Sequence, residues 1–331
     1  MEMDGLPSRP AFKERVADVP IAVGGLALGV AGVGVAWSLL LPEHAPWFVM
    51  TSTPVAAVMV LLVLCKYLLH PKRLHEDLEH TVNSSVLPTL AMAVMVISGN
   101  LTTVNLTLAR ILWGLAVVVH SVILVAFIAY RIKHFVIDHM VPSWFVPPVG
   151  IVVASLTGGA MGYPQLSYAI FLFGSVLYAI ILPLMLYRLV FHTRITPAQS
   201  PTFAVMAAPA SLILAAYLTI ADTLPEHSPN LVILSCLAPI AMLMTTFVLV
   251  AFLRLLRLPF SPGYASFVFP LGVGATALIK LDAYFTSHFA SHPVAFLHWL
   301  APTQLIIASA VLCYVLFCYG RHFLFKVSQS A

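Results

Sequence analysis

The stretch FPLGVGATA (269–277) decides how this chain is read, because its proline is the last of a series. Pro88, Pro148, Pro209 and Pro270 follow one another at intervals of 60, 61 and 61 residues, and Ala27 stands 61 residues before the first. Each mark falls in, or at the start of, an apolar segment rich in small residues. Three of these read VGGLALGVAGVGVAW (23–37), PPVGIVVASLTGGAMG (147–162) and AVMAAPASLILAA (204–216). A repeat of about 60 residues holds two membrane spans of roughly 20 residues each and two short loops. The chain therefore reads as one helical hairpin repeated five times. Five marked helices, one from each hairpin, can be set around an axis that encloses a pore.

Composition fixes the class independently. Apolar residues make up 61% of the 331 residues, charged residues only 8%, and the mean hydropathy is +1.00. A water-soluble chain of this length needs far more polar surface, whereas a polytopic membrane protein has lipid around most of its exterior. The net charge of +4 comes from dispersed basic residues and not from a stripe, which argues against a nucleic-acid partner. Four cysteines, Cys65, Cys236, Cys313 and Cys318, all lie in apolar segments and read as buried small hydrophobes, not as a disulfide framework. The first apolar run begins after 19 residues and is long enough to span, so it reads as an insertion signal, not a cleaved leader.

Windows of spanning length give ten segments, near 20–41, 47–69, 85–104, 107–130, 144–163, 166–190, 200–221, 229–253, 263–285 and 297–320. The fold class is an all-α membrane protein of ten transmembrane helices, arranged as five hairpins around a central pore. The domain plan is a tail at 1–19, a membrane domain at 20–320 and a second tail at 321–331. Alternate connections differ in charge. PEHAP (42–46), Ser98–Asn105, GYPQ (162–165) and ADTLPEHSPN (221–230) carry no Lys or Arg. The other side holds Arg9, Lys13, Arg15, Lys66, Lys72, Arg73, Arg131, Lys133, Arg188, Arg194, Arg254, Arg257, Arg321 and Lys326, which is 14 of the 16 basic residues. The positive-inside rule makes that side cytoplasmic, with both termini inside.

The odd-numbered spans are rich in small residues, notably Gly25, Gly29 and Gly32 in the first, whereas the even ones favour Leu, Val, Ile and Phe. Small residues let backbones approach closely, and they suit a pore ring and an ordinary tight bundle equally well. Pro88, Pro148, Pro209 and Pro270 are the expected kinks of the inner helices. All twelve acidic residues lie in termini, loops or span ends, so no carboxylate is available to bind a coupling ion at mid-membrane. Such a path does not repel anions. Arg110 and Lys280, the two basic residues on the far side, either attract anions to an outer mouth or simply snorkel and pair with acids such as Asp282. His120, in WGLAVVVHSVIL (113–124), is the one titratable group near the core, a proton relay or a hydrogen-bonded structural histidine. The histidines at 70, 75 and 80 lack compact ligand spacing, and no nucleotide, zinc, haem or catalytic motif is present, so neither metal, cofactor nor enzymatic activity is expected.

The same landmarks resemble the tellurite-resistance/dicarboxylate transporter family, which includes bacterial TehA and the slow anion channel of plant guard cells. The resemblance is carried by Gly25-Leu26-Ala27-Leu28-Gly29 with Ala36-Trp37, by His80-Thr81-Val82 with Ser84-Ser85, and by Pro147-Pro148-Val149-Gly150. It continues through Ala208-Pro209-Ala210 and the segment from Pro262 to Phe269-Pro270. It implies a homotrimer in which each protomer has its own pore, lined by five kinked inner helices and occluded by a phenylalanine, here Phe269. Two positions depart from the family pattern: Ala27 stands where relatives carry proline, and Thr81 replaces a proline after the histidine. The expected function is an anion channel or channel-like exporter of small inorganic or organic anions in the cytoplasmic membrane. The alternative is a proton-coupled carrier of C4-dicarboxylates or other oxyanions such as malate, sulfite or tellurite.

Overall fold

A computed structural model describes residues 12–257, 259–289 and 294–329. Arg9, with the rest of the first eleven residues, and the side chain of Lys326 lie outside the described part. All regular structure among the described residues is helical. In chain order the helices are α1 (Phe12–Ala17), α2 (Ala22–Leu40), α3 (Ala45–Leu69), α4 (Pro71–Glu79), α5 (Thr81–Val86), α6 (Thr89–Leu101) and α7 (Leu106–Lys133). They continue with α8 (Val146–Gly150), α9 (Val153–Gly158), α10 (Pro164–Phe191), α11 (Ala208–Thr223), α12 (Leu231–Leu255), α13 (Val268–His288) and α14 (Ala295–Gln329). Nine apolar helical segments among the described residues are long enough to cross a membrane. The chain is a multi-pass membrane protein.

The expected fifth span differs from the other nine. It is the shorter segment Pro142–Gly158, a 3-10 turn followed by α8 and α9 with a break at Ile151–Val152. Pro147 and Pro148 open α8, the Val152 and Ala154 N–H groups at the break bond three residues back to the Val149 and Ile151 carbonyls, and Gly158 ends α9, so the stretch is a chain of short turns.

The other marked prolines likewise stand at the starts of regular α-helix. Pro88 is the N-cap of α6, Pro209 lies in the first turn of α11 after a 3-10 lead-in at Ser200–Ala207, and Pro270 is the third residue of α13 after a 3-10 lead-in at Pro262–Phe267. The first turn is where a missing N–H costs a helix nothing. At Ala27, where no proline stands, α2 runs unbroken. Four of the five repeats thus have a two-part inner segment and the first has a straight one.

Burial separates the two layers. Of the most apolar window in each span, 67–83% is buried in the odd spans α2, α5–α6, α11 and α13, against 22–33% in the even spans α3, α7, α10, α12 and α14. The odd helices pack in a closed ring, α2 on α6, α6 on α9, α9 on α11, α11 on α13 and α13 back on α2. Each even helix packs outside its own hairpin partner, with Leu, Val, Ile and Phe facing outward. The cysteines correct the sequence reading. None is buried in protein: Cys236 and Cys313 are exposed on this outer layer and Cys65 and Cys318 half-buried, all four as free thiols.

The ring closes where α2 meets α13, and glycine makes the approach possible. A Cβ on Gly29 would lie 2.5 Å from Val268 Cγ1 and 3.1 Å from the Phe269 nitrogen. Gly29→Ala therefore has to force α13 away from α2. The expected cost is about 1–3 kcal/mol, the usual range for overpacking a tight interface. It would be read as a lowered melting temperature of the purified protein in detergent or nanodiscs, with Gly320→Ala, which meets nothing within 4 Å, as the neutral control.

Candidate functional site

Two cavities lie on the axis of the ring. The larger, about 740 Å³, opens at the end where the basic loops gather, bounded by Lys66, Arg73, Gln199 and Ser261 at its mouth and by Leu28, Met92, Phe145, Val149 and Leu212 further in. The smaller, about 230 Å³, lies towards the opposite end, between Gly32, Val35, Val96, Val153, Leu156 and Val273, with Lys280 among its walls. Phe269 is the one described residue that lines both. Its side chain is only 9% exposed, and its ring is seated on Gly32, where a Cβ would fall 3.6 Å from Cδ2 and 3.9 Å from Cε2. Gly25 borders the larger cavity, Gly32 the smaller, and Gly29 the seam between α2 and α13. Pro209 and Pro270 also face the larger cavity, whereas Pro88 and Pro148 border neither.

Four charged groups of the larger cavity pair with one another. Lys66 Nζ lies 2.9 Å from Asp77 Oδ2, with both side chains almost wholly buried. The same carboxylate accepts from Tyr67 Oη at 3.0 Å and from Asn83 Nδ2 at 2.7 Å. Arg73 pairs with Glu76 at 3.0 Å. His80 caps α5, its Nδ1 accepting from the backbone N–H groups of Val82 and Asn83 at 3.3 Å each. This network clamps α3, α4 and α5 around the mouth, and Asp18 adds a further carboxylate to the lining. None of it was read from sequence, since two paired residues 11 positions apart across a turn have no periodic signature.

The smaller cavity has a different chemistry. Its single charged wall residue is Lys280, whose Nζ lies 3.6 Å from the largely exposed Asp222. Its polar lining is Asn100, Thr157, Thr219 and Thr276, one residue from each of four inner helices. The three hydroxyls donate to their own helix backbones: Thr219 to the Ala215 carbonyl, Thr276 to the Gly272 carbonyl, and Thr157 weakly to Val153 and Ala154. Asn100 Nδ2 donates to Thr53 Oγ1. The hydroxyl protons are thus committed, so an anion in this chamber meets one ammonium group and mostly apolar walls. These residues could have been found by extending the 60-residue beat: Leu39, Asn100, Ala160, Thr219 and Lys280 follow at 61, 60, 59 and 61 residues, and all border the chamber.

Arg110 and His120 stand elsewhere. Arg110 Nε donates to the Met161 carbonyl at 2.8 Å, and its guanidinium lies 6.0 Å from the Tyr163 ring. It buttresses the turn after α9, where Gly162 takes φ +84° and a Cβ would sit 3.0 Å from Arg110 Nη2. His120 is fully buried in α7 and donates from Nε2 to the Pro147 carbonyl at 2.8 Å, tying α7 to the interrupted fifth span. Neither residue borders a cavity.

A closed ring of inner helices, an outer lipid-facing layer, and two axial chambers without a coupling carboxylate in the smaller one define a membrane permeation protein. The chain belongs to the voltage-dependent anion channel (SLAC1) family, whose profile matches residues 18–319. It is 26% identical over 241 residues to the uncharacterized transporter MJ0762 of Methanocaldococcus jannaschii, a match covering 65% of this chain and 69% of that protein. A second transporter of that organism, the uncharacterized MJ0576, is 24% identical over 220 residues, covering 59% of this chain and 62% of its own length.

The Lys66–Asp77 pair gives a test of the mouth. Lys66→Met leaves Asp77 buried without its counter-charge, and the expected loss of stability is about 3–5 kcal/mol. Lys66→Met combined with Asp77→Asn should recover much of that loss. A melting temperature equally low in the single and double variants would show that the pair is not what holds α4 in place.

Proposed function

We propose that this protein is a passive anion channel whose conduction path runs along the axis of the inner ring and is occluded by Phe269. The observation that carries the reading is that Phe269 alone borders both chambers. A benzyl side chain in a narrow apolar passage blocks ions by size and by excluding water, and it clears the passage by rotating to another rotamer or by moving with its helix. The positive-inside rule applied to the basic loops supports a larger chamber on the cytoplasmic side, Lys280 on the far side and both termini inside. The exposed apolar faces of the outer helices meet the bilayer, and the family resemblance supports a homotrimer in which each protomer keeps its own path.

The cargo is a small anion. Lys280 is the only fixed charge of the outer chamber, and an ammonium in a low-dielectric wall raises the local concentration of anions. Lys280 is shared with Asp222 and the hydroxyls of the described wall residues donate to their own helices, so binding there is weak, as conduction requires. Proton coupling has less support: His120 is held on a backbone carbonyl away from both chambers. Flux that followed an imposed pH gradient and vanished on His120 substitution would favour the dicarboxylate or oxyanion carrier instead.

Phe269→Ala should raise anion conductance in planar bilayers by about tenfold or more, which corresponds to about 1.4 kcal/mol removed from the barrier. Unchanged current would sink the gate assignment. Lys280→Gln should lower anion conductance about two- to threefold at low ionic strength, and much less in 1 M salt where the Debye length falls to about 3 Å. A loss that ignores salt would mean that Lys280 acts through packing and not through its charge.

A further inference from the structure

Behind Phe269, on the side of α13 away from the axis, a group of polar side chains has no role in either chamber. A Cβ placed on Gly274 would lie 3.3 Å from Thr245 Oγ1, 3.5 Å from Gln304 Nε2 and 3.7 Å from Ser211 Oγ. These three side chains come from α12, α14 and α11, so three different helices aim polar atoms at one point on the backbone of α13. All three residues are buried, at 7%, 5% and 1% exposure. Gln304 Nε2 donates to the Leu271 carbonyl at 3.4 Å, two residues beyond Phe269. Ser211 Oγ has no hydrogen-bond partner at all.

An unpartnered hydroxyl in the middle of a membrane protein is costly, and serines in helices ordinarily donate to a carbonyl of the preceding turn. The part of α13 that faces this group is also its softest. Pro270 has no N–H to give, and Gly272 and Gly274 lack the side chains that stiffen a helix. A helix can bend inside a bilayer only if every carbonyl and N–H released by the bend finds a new partner.

We infer that Ser211, Thr245 and Gln304 form a polar latch that receives the backbone of α13 when it bends at Gly272–Gly274. In the arrangement seen here Gln304 holds the Leu271 carbonyl, and Ser211 stands ready for a carbonyl that only the bent helix offers. The three are positioning residues: they touch neither chamber and act on permeation through the helix that carries Phe269. The functional consequence rests on the gate reading above; the bend itself does not.

The test separates the two. Ser211→Ala with Thr245→Val removes both hydroxyls while keeping nearly all the volume, and it breaks no hydrogen bond recorded for Ser211. Hydrogen–deuterium exchange of the full chain in nanodiscs, followed by mass spectrometry, reads the opening of α13 directly. Removing the latch should slow exchange at residues 272–276 by about fivefold, the factor that one net hydrogen bond carries. The melting temperature should stay the same or rise. Exchange that is unchanged, or faster, would overturn the latch, since a merely structural role for these hydroxyls predicts faster opening when they are lost. Flux through Phe269→Ala reports on the gate independently of that result. In planar bilayers the double variant should lower the open probability of the protein with Phe269 intact and leave the Phe269→Ala current unchanged. An equal loss in both backgrounds would also overturn the proposal.

Discussion

The contact between α2 and α13 is what makes this protein a ring. Helical hairpins laid side by side would give a sheet of helices with no interior. Closure requires the first and last inner helices to meet across three intervening hairpins, and they meet at Gly29 beneath Val268 and Gly32 beneath Phe269. Lipid tails are as apolar as leucine, so no hydrophobic force drives this closure, and close packing of small residues has to supply it. The ring of Phe269 rests on Gly32, so the same seam also positions the one described residue that borders both chambers.

The second constraint is that a polar group left unsatisfied at membrane depth is costly, and it explains where the titratable groups went. Arg110 holds the Met161 carbonyl, His120 holds the Pro147 carbonyl, and Arg131 donates to Ser84 Oγ while lying over the rings of Phe127, Tyr130 and Trp144. Each of these residues secures a place where an odd span begins or ends. What borders the two chambers is sparse in charge: two ion pairs and Asp18 line the larger one, and Lys280 lines the smaller.

The architecture was legible because it repeats. The proline beat and the alternating basic loops rest on spacings that survive without any knowledge of contacts, and burial later divided the helices along the same odd–even line. Finer use of the same beat would have found the outer chamber, as the series from Leu39 to Lys280 shows. Other features leave no trace in a linear pattern. The Lys66–Asp77 clamp depends on a turn at His70–Pro71 that brings α4 back under α3, and the 3-10 lead-ins at Ser200–Ala207 and Pro262–Phe267 depend on tertiary packing. The break in the fifth span was foreshadowed by its paired prolines, yet composition alone counts that stretch as one more span. Phe269 was singled out by resemblance, not by period, and for a physical reason: the feature that matters there is a departure from the repeat.

That departure sets the fifth inner helix apart from the other four. The positions that precede the repeat marks are Leu26, Leu87, Pro147, Ala208 and Phe269. Leu26, Leu87 and Pro147 are buried and border neither chamber, and Ala208 offers only a methyl group. Of these five positions only Phe269 carries an aromatic ring, and it borders both chambers. Five such rings at one level would overfill a passage this narrow, and moving them would demand concerted movement of every inner helix. On the gate reading proposed above, a single ring needs the movement of one helix. The repeat then supplies the wall, and its departure at Phe269 the means of interrupting it.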